Sequence, residues 1–188
     1  MHRVVLVKSS LIVIVAMLGL WVAAASAEEF SATFSGFQEV GGVGAGQTGA
    51  IFSSGTATLH LNLDKQSSSI TYTLTYSDLS ANVTQAHIHF GKRHVGGGIV
   101  AFLCTNLGNG PAGTPACPVP NGTVTGTITA SSIVAVAAQN VTAGDFDALE
   151  AMLESNTAYG NVHTVKFPVG EIRGQIHQGG GAAKGGDK

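Results

Sequence analysis

Apolar and polar positions alternate along most of this chain. Phe30, Ala32 and Phe34 fall on one side of residues 29–37, with polar residues between them, the period of a half-buried strand. Residues 55–63 alternate again, with Leu59, Leu61 and Leu63 facing one way and His60 on the polar side. After a turn at 64–68, Ile70, Tyr72, Leu74 and Tyr76 repeat the pattern against a row of threonines, so the two stretches read as a hairpin. Residues 83–90 form a further strand. Residues 99–104 are continuously apolar and read as a central strand, and residues 122–129 alternate Val124 and Ile128 with threonines. A period of 3.6 occurs once in this part of the chain: Phe146, Leu149, Met152 and Leu153 predict a helix over 142–155 with Thr142 as its N-cap. Residues 159–166 and 171–177 read as the last strands, joined by Phe167-Pro168-Val169-Gly170. Many short strands, glycine-rich turns and one helix predict an all-β fold, an antiparallel Greek-key sandwich or barrel. Too few crossover helices are present for a parallel α/β sheet.

The first stretch breaks this pattern. Arg3 and Lys8 precede an apolar run from Ser10 to Ala24, and Ala25-Ser26-Ala27 is a small-x-small cleavage site. Residues 1–27 therefore read as a secretory signal peptide, 28–178 as one β domain, and 179–188 as a disordered glycine-rich tail. No later run is apolar enough to span a bilayer, so the expected location is secreted, periplasmic or otherwise extracytoplasmic. Of nine Lys and Arg, Arg3 and Lys8 leave with the leader; against eleven Asp and Glu this gives 7 − 11 = −4. So acidic a domain argues against nucleic-acid binding. In an oxidising compartment Cys104 and Cys117 are expected to pair, closing a Gly- and Pro-rich loop; the chain-entropy model assigns such a loop about 3 kcal/mol.

Candidate chemistry lies in the histidines. His87 and His89 are two apart on a strand and so share a face. His163 sits on another strand, and on the last one Glu171, Arg173, Gln175 and His177 alternate together. Three imidazoles match the ligand count of metal sites with an open position, and neutral imidazole suits copper or zinc. His177 would be an optional fourth ligand, and Glu171 a partner that fixes a ring's tautomer. A second reading makes Asn161, His163, Glu171 and Arg173, with His87 and His89, a buried hydrogen-bond network without metal. A third makes this face a surface for an unknown extracytoplasmic protein. His94, in a Lys-Arg-His turn, reads as an exposed loop residue that could swing toward His89. Nothing resembles a Gly-x-Ser-x-Gly elbow, a glycosidase carboxylate pair, a phosphate loop or a dinucleotide fingerprint, which weighs against an enzyme.

Four segments carry a family resemblance: Ala86-His87-Ile88-His89-Phe90-Gly91, the run 99–104, Ala158-Tyr159-Gly160-Asn161-Val162-His163-Thr164, and 167–176 with Gly170-Glu171-Ile172-Arg173-Gly174-Gln175. Together they resemble the CHRD domain, the repeat named after chordin that also occurs singly in exported bacterial proteins. The resemblance spans Phe30 to about His177. Gly160 departs from it, since many members carry a bulkier residue there. It implies an exported, non-enzymatic binding module of unknown ligand; for single-domain members it supplies no reaction.

Overall fold

Strand β1 (Glu28–Ser35) pairs antiparallel with β2 (Thr56–Asp64), which pairs in turn with β3 (Ser69–Ser77). The computed structural model describes residues 27–41 and 49–179. The leader up to residue 26, loop residues 42–48 and the tail from 180 lie outside the described residues. The hairpin register places Leu59 opposite Leu74, Leu61 opposite Tyr72 and Leu63 opposite Ile70. This is the apolar alternation meeting itself across two strands, and all six side chains are buried.

The remaining strands are β4 (Val83–Phe90), β5 (Gly98–Thr105), β6 (Gly122–Ile128), β7 (Ala158–Thr164), β8 (Ile172–Gln175) and the two-residue β9 (His177–Gln178). All nine belong to one antiparallel sheet, ordered β5-β4-β7-β8-β1-β2-β3-β6, with β9 continuing along β1. The sheet curls into a nearly closed barrel, bringing its end strands β5 and β6 near each other. The expected all-β antiparallel sandwich or barrel is observed as a barrel, with one α-helix among the described residues.

Two local expectations are corrected. The apolar run 99–104 is an end strand rather than a central one. It is buried because residues 130–141 cover its free edge: Val134 N–H donates to Val100 O at 2.9 Å and Gly98 N–H to Gln139 Oε1 at 2.8 Å. The helix α1 (Phe146–Glu154) starts later than expected, with Asp145 rather than Thr142 as N-cap. Gly144 holds φ +84°, which no helix continues through, and the Asp145 carboxylate takes the Ala148 N–H at 3.0 Å. The Cys104–Cys117 disulfide forms as expected and fastens the end of β5 to the segment entering β6. At the same seam Tyr72 and Tyr76 donate their hydroxyls to Leu103 O and Pro118 O.

The barrel interior holds Phe30, Phe34, Leu59, Leu61, Ile88, Leu103 and Val162. Strands β7 and β8 are buried on both faces. One face carries Gly160, Val162, Ile172 and Gly174. The other carries Tyr159, Asn161, His163, Arg173 and Gln175, all polar or amphipathic and all buried. What covers that polar face positions the site.

Candidate metal centre

Strand register lays the polar residues out as a grid. His87 on β4 stands opposite Asn161 on β7, which stands opposite Arg173 on β8. One step along, His89 faces Tyr159 and Tyr159 faces Gln175; one step the other way, Gln85 faces His163. The three imidazoles therefore come from two adjacent strands and project to one side, as alternation requires. Their ring centroids lie 4.9 Å apart for His87 and His163, 5.5 Å for His87 and His89, and 6.3 Å for His89 and His163.

Two loops roof this grid. Residues 91–97 follow β4: Gly91 O and Lys92 O accept from Gln175 and Arg173, and Gly97 O accepts from His89 Nδ1 at 3.0 Å. Residues 165–170 follow β7, and Pro168 O accepts from His163 Nδ1 at 3.0 Å. A carbonyl oxygen can only accept, so both Nδ1 atoms carry the proton. In the neutral rings His89 Nε2 and His163 Nε2 are then bare lone pairs. His87 Nδ1 lies 3.1 Å from His163 Nε2 and must donate to it, which leaves His87 Nε2 bare as well.

The rings are held neutral. Burial, then the charges of His163 and His89, push His87 down to about 2 from the usual 6.5. Burial lowers His89 to about 4 against an opposing hydrogen bond to Gly97, and burial lowers His163 to about 4 against a similar bond to Pro168. Neutral imidazole with its Nδ1–H fixed on a carbonyl is the ligand form of histidine. One nitrogen from each ring lies within 4.8 Å of the other two. A tetrahedral ion with bonds of about 2.0–2.1 Å needs separations of about 3.4 Å, so binding requires the rings to close in and the His87 Nδ1–His163 Nε2 hydrogen bond to give way.

The polar atoms divide sharply. Glu171 is fully buried and fully served: its carboxylate accepts from Ser53 Oγ at 2.6 Å, Ser80 N at 2.8 Å and Thr164 Oγ1 at 2.7 Å. It orients no imidazole, and the tautomer-fixing role expected of it falls to the two backbone carbonyls instead. His87 Nε2, His89 Nε2, Asn161 Oδ1, Gln175 Oε1 and Arg173 Nη1, by contrast, are buried without a hydrogen-bond partner. Asn161 and Arg173 do stand beside the rings. Arg173 lies 3.4 Å over the Tyr159 ring, and His89 stacks on Tyr159 at 4.8 Å and 5°.

His177 is not brought to the cluster. It lies exposed opposite Ser31, on a strand that has run past Ala158, the first residue of β7, so no neighbour from β7 or β4 flanks it. His94 lies exposed in the 91–97 loop with φ +63°. His60 lies on the exposed side of β2 as expected. Sequence reasoning missed Glu39, a buried carboxylate that accepts from Asn161 Nδ2 at 3.0 Å, and it missed the packing role of Tyr159. Glu39 precedes a glycine-rich loop and carries no periodic signal.

The described residues form a disulfide-pinned antiparallel barrel with a roofed histidine array on its outer face. The CHRD domain family matches residues 30–176, and the chain belongs to that family, whose domains are extracellular. No curated protein and no solved structure matches the chain.

Proposed function

We propose that this protein is an exported CHRD module that binds one transition-metal ion, copper or zinc, through His87, His89 and His163. Export runs through the leader 1–27, leaving 28–178 as the binding domain and 179–188 as its tail. Binding rather than turnover is its role.

The observation that carries this reading is the contrast between neighbouring networks on one sheet. A structural network satisfies its members, because an unpaired buried polar atom costs about 1–3 kcal/mol. The Glu171 group does so. In the imidazole group His163 Nε2 accepts from His87, but His87 Nε2 and His89 Nε2, with Asn161 Oδ1 beside them, are lone pairs without a donor, and a cation is what such lone pairs lack. Locked tautomers also mean that binding at neutral pH displaces no proton from His89 or His163.

The test is stoichiometry. Untagged protein dialysed against Cu(II) or Zn(II) and then against buffer should retain one ion per chain by elemental analysis. His87→Ala combined with His163→Ala should lose the ion while keeping a native far-UV spectrum. Wild-type protein without stoichiometric metal would refute the proposal and leave the cluster a structural network.

A further inference from the structure

The three imidazoles are not equally enclosed. A cleft between residues 39–41, the 94–98 turn and Val169 reaches His89, Tyr159 and Asn161, and neither His87 nor His163 lines it. Among the described residues, this cleft reaches the cluster from the His89 side. On that side stands the Asn161 amide, and its orientation is fixed. Nδ2 donates to Glu39 Oε2 at 3.0 Å, while Glu39 Oε1 is itself held by the N–H groups of Val40 at 3.0 Å and Gly41 at 3.3 Å. The pair fits because residue 170 is glycine at φ +133°; a Cβ there would lie 2.4 Å from both Asn161 Nδ2 and Glu39 Oε2.

With Nδ2 committed, Asn161 Oδ1 is left as a buried acceptor with no donor. Asn161 stands diagonal to His89 across the β4–β7 pair, and both residues line the cleft. His89 Nε2 is a bare lone pair, so two acceptors face one space that opens to the cleft. An amide oxygen is a poor ligand for zinc or copper compared with imidazole, thiolate or carboxylate. It is a good acceptor for a proton carried by something the metal holds.

We propose that a metal bound by His87, His89 and His163 keeps one exchangeable position facing this cleft. That position takes a small oxygen ligand bearing a proton (water, hydroxide or a hydroperoxide), with its hydrogen accepted by Asn161 Oδ1. The proposal rests on the metal-binding reading. Glu39 and Asn161 are positioning residues: the carboxylate sets the amide, and the amide selects ligands that can donate.

Cobalt(II) and azide test it, since cobalt reports its coordination in the visible spectrum and azide is a ligand with no proton to give. Azide should change the spectrum of the Co(II)-loaded wild type saturably. Asn161→Ala should bind Co(II) within about threefold of wild type and azide about tenfold more tightly, because the displaced water no longer has its acceptor. Glu39→Gln, which frees the amide to turn over, should shift azide affinity in the same direction. A loaded wild type whose spectrum ignores azide would overturn the proposal. So would an Asn161→Ala variant that keeps a native far-UV spectrum but loses more than about a hundredfold in Co(II) affinity, since the amide would then be a ligand. A wild type that retains no Co(II) at all would instead remove the metal reading beneath it.

Discussion

Acidification should destabilise this protein through its buried histidines. In the unfolded chain each ring titrates near 6.5. In the fold, burial holds His89 and His163 at about 4 and His87 at about 2. Stability is therefore at its full value above pH 6.5 and falls as pH drops from 6.5 toward 4, because only the unfolded chain takes up the protons. At pH 5 the unfolded state binds nearly three more protons than the metal-free fold on these three rings, a slope of about 4 kcal/mol per pH unit. Integrated from pH 7.5 to pH 5, the loss is about 6 kcal/mol, within the whole stability of an ordinary domain of about 5–15 kcal/mol. Urea unfolding of the metal-free protein at half-unit pH steps measures it directly. His87→Phe should reduce the slope at pH 5 by about one proton. A wild-type slope under one proton between pH 6 and 5 would show that the rings are not held neutral, and the tautomer argument would fail with it.

Three further outcomes follow from the packing. Glu171→Ala should destabilise the fold by about 3 kcal/mol or more, because it strands Ser53, Ser80 N–H and Thr164. Chemical denaturation measures that cost, and metal affinity should be unchanged since Glu171 touches no imidazole. Gly160→Ala should cost about 1–3 kcal/mol, because its Cβ would lie 2.3 Å from Phe34 Cζ; Phe34→Leu in the same chain should recover part of the loss. Replacing Cys104 and Cys117 together by alanine should lower stability by about 3 kcal/mol, given a sequence separation of 13, and a melt showing no drop in midpoint would refute the pinning of the β5–β6 seam.

The strands β1, β2, β3 and β6 were legible because each buries one face and shows it as alternation. Residues 83–90 were placed with their observed bounds, and the convergence of His87, His89 and His163 was readable once β4 and β7 were paired. The positions where alternation misled have specific causes. His177 continues the pleat of β8, but the neighbouring strand ends beneath it, and no sequence period announces where a neighbour ends. The run 99–104 looked central because a loop, not a strand, buries its outer edge. Thr142 and Asp145 are both competent caps, and the left-handed Gly144 decides between them. The parts of the site supplied by the backbone, Gly97 O and Pro168 O, have no residue-type signature, so the tautomer-fixing role was assigned to the nearest plausible side chain, Glu171. At Gly160 the Phe34 ring occupies the space that a larger side chain would take.

X-ray absorption at the metal edge of protein loaded with one equivalent of copper or zinc bears most directly on the histidine array. Three imidazole nitrogens at about 2.0 Å, with the ring-carbon scattering that marks histidine, are the shell the metal proposal predicts, joined by one light oxygen donor. A shell of oxygens alone, or one imidazole with solvent, would place the ion on surface groups and return His87, His89 and His163 to a purely structural role.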